Sequence, residues 1–184
     1  MTQMKGTHIL AQALPGVLQQ LPDAHAVFIG AGDPPAPDGR SMKDFILDQT
    51  RAVSDRVHLI DKIPHDKLYP FLRNARIAVL PSLVDNLPNT CLEAMGHGCV
   101  VLATSGSCFE QLIDHGRSGW LVPPNDVPAL HEAMIHLWGL SETERAAIGQ
   151  HASARIAQLH PDLAVPKLIE YYQSVIADFQ KRSN

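Results

Sequence analysis

Two carboxylates eight residues apart, Asp85 and Glu93, bracket the stretch in which this sequence concentrates groups able to do chemistry. Between them run Asn86-Leu87-Pro88-Asn89-Thr90, a turn sequence leading into a short helix that Asn89 or Thr90 can cap. The free amide N–H groups in the first turn of such a helix favour an anion, and carboxylates accept hydrogen bonds from hydroxyls. A ligand combining hydroxyls with phosphates matches that set of groups. The same residues admit a purely structural account, with Asp85 a solvated turn residue and Glu93 favouring the helix N-terminus through the macrodipole.

The flanking sequence shows how these groups would be held. Residues 76 to 81 and 99 to 104 are short apolar runs suited to strands buried on both faces, so the unit reads strand, loop, helix, strand. A loop leaving the first strand of such a unit lies at the carboxyl edge of a parallel sheet, where open α/β folds bind ligands. Upstream, residues 8 to 21 have helical apolar spacing after Thr7, an N-cap candidate, with Pro15 as a point of kinking. Residues 26 to 29 form a strand that runs into Gly30-Ala31-Gly32-Asp33-Pro34-Pro35, a close-approach loop rather than a dinucleotide fingerprint. Ser41 caps a helix through about Val53, residues 57 to 60 are a strand, and Asp66 to Asn74 are helical. Downstream, a helix runs from Ser107 to Asp114, a strand from 119 to 122, and a helix capped by Asp126 to Trp138. Ser141-Glu142-Thr143-Glu144 is a capping box for a helix through about Leu159, and a final helix follows His160-Pro161. This alternation predicts an α/β fold, a Rossmann-like parallel sheet with helices on both faces.

Composition narrows the function classes. The 184 residues suffice for one domain with a sizeable core, at 45% hydrophobic and 18% charged content. A net charge of −4 without any run of Lys or Arg argues against a nucleic-acid surface. Apolar runs are strand-length and no signal-peptide h-region opens the chain, so the expected location is cytoplasmic with no membrane span. Three cysteines without a CxxC pair fit reduced thiols, and Cys91 reads as a buried, inert one. His131 and His136 miss the HExxH spacing by one residue and there is no G-x-S-x-G elbow, so neither a metal site nor a serine nucleophile is expected.

The run Pro81-Ser82-x-x-Asp85-Asn86-Leu87-Pro88-Asn89-Thr90-x-Leu92-Glu93-Ala94-Met95-x-x-Gly98-x-Val100-Val101 resembles the donor-binding signature of the retaining glycosyltransferases of family 4, also called group 1. Lys5-Gly6, Asp23-Ala24-His25-Ala26-Val27-Phe28-Ile29-Gly30-Ala31-Gly32, Arg56-Val57-His58-Leu59, Gly106-x-x-x-Glu110 and Gly116-x-x-Gly119-x-Leu121-Val122-Pro123-Pro124 match in order. The resemblance covers roughly residues 5 to 137. It implies the C-terminal half of a GT-B fold, which binds a nucleotide-diphosphate sugar such as a UDP- or GDP-sugar and needs no cofactor or metal. It implies further that Asp85 contacts the donor sugar, Glu93 holds the ribose hydroxyls, and the stretch from Asn86 through Leu87, Pro88 and Asn89 to Thr90 meets the sugar and diphosphate with its free amides. Lys5 would neutralise the departing phosphate, with Asp85 and Lys5 the catalytic pair. Asp85 stands where the family more often has Glu, and Ser107 where it has the second Gly of a pair.

The resemblance also places a first strand, a Gly-Arg pair and an acceptor-binding N-terminal domain ahead of Lys5. Residues 1 to 160 are then the nucleotide-sugar-binding domain, and residues 161 to 184 a helix packing toward that missing domain, exposed or covered by another molecule here. The first strand would be central. The reading favoured is that the strand at 26 to 29 closes onto that at 77 to 80; otherwise another chain or upstream residues fill the position. The expected function is donor binding in a retaining glycosyltransferase, with transfer by this chain alone doubtful. The alternative is a non-catalytic nucleotide-sugar-binding module needing a partner chain. Peripheral membrane contact would come through the missing half. Nucleotide, sugar and acceptor stay unnamed.

Overall fold

The computed structural model describes residues 1 to 86 and 88 to 182. Among the described residues five strands and seven α-helices follow in the order α1 (Thr7–Gln20), β1 (Ala26–Ile29), α2 (Met42–Gln49), β2 (Val57–Ile60), α3 (His65–Asn74), β3 (Ala78–Leu80), α4 (Asn89–Gly96), β4 (Val101–Thr104), β5 (Trp120–Val122), α5 (Val127–Gly139), α6 (Glu142–Ala157) and α7 (Pro161–Arg182), alternating as far as β4. All strand pairs are parallel, in the orders β1-β2 and β3-β4-β5. Helices cover both faces, because successive side chains of a buried strand point to opposite sides. Leu102 of β4 packs with α1 and α5, while its neighbours Val101 and Ala103 pack with α4 and Phe109. The α/β parallel architecture read from the sequence is therefore the one observed.

The sheet is in two pieces, and α1 packs against both. Ile9, Ala13 and Val17 belong to the cluster under β4 and β5, whereas Ala11, Leu14 and Leu18 belong to the one under β1 with α2. Residues of β1 and β3, together with α1 and α3, line a groove of about 830 Å³. The expected closure of the strand at 26 to 29 onto that at 77 to 80 does not occur.

Local differences from the sequence reading have local causes. Thr7 is the first residue of α1 rather than its cap; Gly6 precedes it at φ 64° with no side-chain acceptor. The helix after Ser41 ends at Gln49, and a 3₁₀ turn, Arg51–Arg56, replaces its last part because Val53 leaves helical geometry at φ −134°. The expected helix from Ser107 to Asp114 is a 3₁₀ turn, Cys108–Gln111. The helix runs on through Pro15, the caps at Ser41 and Asp126 form, and so does the box of Ser141 with Glu144. Gly149 lets α6 cross α4 closely, since a Cβ there would lie 2.2 Å from the Gly98 carbonyl oxygen.

The helix α7 stands clear of all three apolar clusters, with Leu163, Leu168, Tyr171, Tyr172, Val175, Ile176 and Phe179 exposed. This exposure accords with the expected loose packing of the segment after Pro161. Among the described residues no helix is long and apolar enough to cross a membrane.

Candidate active site

The carboxyl ends of β1 and β3 open onto a cavity of about 380 Å³ lined by Lys5, Thr7, Pro81, Ser82, Asp85, Pro88, Asn89, Thr90, Cys91 and Phe109, with the ends of both strands. Two chain segments far apart in sequence are tied together to make it. The carbonyl of Met4 accepts from the amides of Leu83 at 2.8 Å and Val84 at 3.3 Å, so the loop after β3 folds over the turn that leads into α1. That approach requires Gly6, because a Cβ there would meet the Pro81 carbonyl oxygen at 1.7 Å. The Lys5 ammonium is delivered to the Asp85 carboxylate, Nζ to Oδ2 2.6 Å. Ser82 Oγ lies 3.4 Å from the same oxygen, and the Ser82 carbonyl accepts from the Thr104 hydroxyl at the end of β4. The Asp85 side chain is 9% exposed and that of Lys5 54%, so the acid is the fixed member and the ammonium the accessible one.

The helix α4 starts differently from the sequence reading. Neither Asn89 nor Thr90 caps it: Pro88 sits at the cap with no side-chain acceptor, and its carbonyl takes the amides of Cys91 at 2.8 Å and Leu92 at 3.1 Å. Among the described residues no acceptor meets the amides of Asn89 and Thr90, which are thus free to donate into the cavity mouth. The same cavity therefore presents the Lys5 ammonium, the two free amides and the nearly enclosed Asp85 carboxylate. It can take a group carrying both negative charge and hydroxyls.

Not every residue singled out in the sequence gathers here. Asn86 is exposed beside the cavity and does not line it, and Leu87 lies outside the described residues. Glu93 also lies off the lining, one turn along α4, where its Oε1 is 2.9 Å from Nδ1 of His65 at the start of α3. His65 touches Tyr69, whose ring stands 4.8 Å from that of His97. The sequence reading passed over Ser82, Thr7 and Phe109 as site residues. Ser82 stood inside the motif with Asp85, three residues before it, but only the folded loop shows that its hydroxyl reaches the carboxylate.

The cysteines are unsuited to nucleophilic work. Burial pushes the Cys91 thiol up to about 12, with Cys108 and Asp85 adding to the effect, and pushes Cys99 up to about 11. Burial and the charge of Asp85 raise Cys108 as well. No cluster of three or more potential metal ligands occurs among the described residues.

Comparison with known proteins places this geometry in a family. A family model for glycosyl transferases group 1 matches residues 1–139. The chain is 31% identical over 143 residues to the amylovoran biosynthesis glycosyltransferase AmsK of Erwinia amylovora, covering 74% of this chain and 34% of that protein. It spans, in other words, about a third of the length of this relative. Among solved structures, the C-terminal domain of the group 1 family protein LpcC from Francisella tularensis superposes with a TM-score of 0.75 at 22% identity, over 86% of this chain and 80% of that one. HepE from Anabaena, solved in complex with UDP, gives a TM-score of 0.74 at 20% identity, over 94% of this chain and 46% of that one. The folds of these neighbours are those of GT-B glycosyltransferases. By the match over most of its length and by its likeness to AmsK, the chain belongs to the group 1 glycosyl transferases.

Proposed function

We propose that this chain is the donor-binding part of a retaining glycosyltransferase of family 4, taking a sugar from a nucleotide-diphosphate sugar to an acceptor hydroxyl. The observation that carries this reading is the pairing of Lys5 with Asp85 at 2.6 Å in a cavity headed by the free amides of α4. An ammonium and amides suit the diphosphate, and a fixed carboxylate suits sugar hydroxyls. In transfer the bond from the anomeric carbon to the diphosphate oxygen breaks, the acceptor oxygen bonds to that carbon, and the hydroxyl proton leaves with the nucleoside diphosphate. Lys5 stabilises the charge that grows on the departing phosphate. Asp85 orients the sugar, Glu93 holds the ribose hydroxyls after exchanging His65 for them, and the amides at Asn89 and Thr90 hold the phosphates. No metal is assigned a role, because lysine and amides supply the positive charge.

Residues 1 to 160 are proposed as the nucleotide-sugar-binding domain and residues 161 to 184 as the helix that packs on an acceptor-binding domain, in a cytoplasmic enzyme whose membrane contact, if any, is peripheral. A second reading, a non-catalytic nucleotide-sugar-binding module that needs a partner chain, draws support from the apolar exposure of α7. Calorimetry of the chain with UDP, GDP and ADP tests the shared part: one of them binds and its nucleoside does not. Failure of all three to bind removes the donor-site reading. Adding an acceptor-binding domain in trans and assaying transfer then separates enzyme from module.

A further inference from the structure

Two histidines meet at the amino ends of β1 and β2, whereas the cavity of Lys5 and Asp85 opens at the carboxyl ends of β1 and β3. His25 immediately precedes β1 and His58 is the second residue of β2. Nδ1 of His25 lies 3.0 Å from Nε2 of His58. The ring planes are within 16° of each other and the centroids 5.3 Å apart, so the rings meet edge to edge through these nitrogens. Side chains alternate along extended chain, which puts His25 on the side of β1 that carries Val27. Val27 stands opposite His58 in the parallel register, so both histidines share one side of the strand pair. All three residues are exposed, and that side is open to solvent.

Other histidines are engaged differently. His65 and His160 lie against carboxylates, His115 accepts from the Leu121 amide, and His131 meets Gln20. Among the described residues no other two histidines bring their ring nitrogens within hydrogen-bond reach. A search for metal-ligand spacing along one helix misses this pair, because its members are thirty-three residues apart and only the strand register joins them.

Two imidazole nitrogens this close can share a proton or a metal ion. Imidazole nitrogen binds transition metals at about 2.05 Å, so two of them lie about 2.9 Å apart at a right angle about the ion and about 3.3 Å apart at the tetrahedral angle. The observed 3.0 Å is nearer the right angle, the arrangement that tetragonal nickel(II) and copper(II) take with nitrogen ligands. The ion sits beside the line joining the nitrogens, and each exposed ring turns about its side-chain torsions to aim a lone pair at it. The proton of the bridging N–H moves to the other nitrogen of its ring by exchange with water, so both rings stay neutral. Water completes the coordination, since no cluster of three or more potential ligands occurs among the described residues.

We propose that His25 and His58 form a two-imidazole chelate for a divalent transition-metal ion of the nickel or copper class, tying β1 to β2. The site stands apart from Lys5 and Asp85 and takes no part in sugar transfer. Because the strand register creates it, the chelate exists only in the folded chain, and the metal stabilises the fold by mass action.

Calorimetry of the full chain with nickel chloride at about pH 7.5, where ordinary imidazole is mostly neutral, tests the pair. The expected result is one ion bound per chain, with affinity weakened roughly tenfold or more in both His25→Gln and His58→Gln. His151→Gln, which removes an exposed histidine of α6, should bind nickel as the unsubstituted chain does. Saturating nickel should also raise the Tm of the unsubstituted chain and of His151→Gln, and leave both pair variants unmoved. The proposal is overturned by no binding at one ion per chain, by full affinity in either pair variant, by an equal loss in His151→Gln, or by a Tm that nickel does not raise.

Discussion

Lys5 and Asp85, eighty residues apart, meet at 2.6 Å because the loop after β3 is hydrogen-bonded to the turn before α1. The pair is unequal: the carboxylate is nearly enclosed and accepts from Lys5 with Ser82 beside it, while the ammonium is half exposed. Each member satisfies the other. A diphosphate must therefore draw the ammonium from the carboxylate, and the two substitutions at this pair should not be equivalent.

Lys5→Met is expected to weaken UDP or GDP binding by one to two decades, the loss of a charge-assisted hydrogen bond worth about 1.5 to 3 kcal/mol. Asp85→Asn should leave the affinity for the bare nucleoside diphosphate equal or improved, because it removes a negative charge beside the phosphates. Calorimetry on both variants checks the asymmetry, and parallel losses would show that the two residues act only as a structural pair.

Glu93→Gln should weaken the same nucleotides by roughly one to two decades if its carboxylate accepts from vicinal ribose hydroxyls. His65→Ala should have a smaller effect, since His65 is largely exposed and water can replace it on Glu93. Unchanged affinity in folded Glu93→Gln would take Glu93 out of the site.

Gly6→Ala places a methyl 1.7 Å from the Pro81 carbonyl oxygen at a φ of 64°, and Gly39→Ala meets nothing within 4 Å at a φ of 84°. The second change carries only backbone strain of about 1 kcal/mol, and the first adds a clash with main chain. The expected drop in Tm is about 2 to 4 °C for Gly39→Ala and at least twice that for Gly6→Ala. Scanning calorimetry decides it, and Gly6→Ala should also lose nucleotide binding, because Lys5 is carried on the same turn.

Gly149→Ala drives a methyl to 2.2 Å from the Gly98 carbonyl oxygen, whereas a methyl at Gly139, the last residue of α5, meets nothing within 4 Å. The first should destabilise by about 1 to 3 kcal/mol, and the second should stabilise by as much as about 0.5 to 1 kcal/mol. Urea midpoints of opposite sign would support the close crossing of α4 and α6.

Alkaline pH should destabilise the fold through its buried thiols. Cys91 and Cys99 are raised from 9.0 to about 12 and about 11, so above pH 9 the unfolded chain gives up protons that the folded chain keeps. Their contribution is whole below pH 9 and is lost as pH rises through that window, on the order of 1 kcal/mol per pH unit for each thiol. Urea titrations from pH 8 to 10.5 should show the fall. Cys91→Ala should make it shallower, and an equal slope in that variant would remove Cys91 as a cause.

Much of this molecule is decided within short windows of sequence. The strand at 26 to 29 and that at 57 to 60 are apolar runs bounded by turn residues, and both have the observed limits. The caps at Ser41, Asp126 and Ser141 are equally local, each needing only a side chain and an amide three residues on. Asp85 was legible as a candidate because it stands in a loop at the carboxyl end of a strand, and Lys5 only by resemblance, since nothing near it in sequence suggests a partner.

What tertiary structure decided are the relations that span the chain. Gly6 against Pro81 brings Lys5 to Asp85, and no local pattern encodes an approach between segments eighty residues apart. Helix α4 begins at Asn89 with Pro88 as its cap, because packing of Cys91, Ala94 and Met95 fixes its position more strongly than a capping side chain would. The division of the sheet has the same origin. Sequence pattern specifies that β1 and β3 are strands, but which edges pair, β1 with β2 and β3 with β4, is a relation between segments distant in the chain that no local pattern encodes.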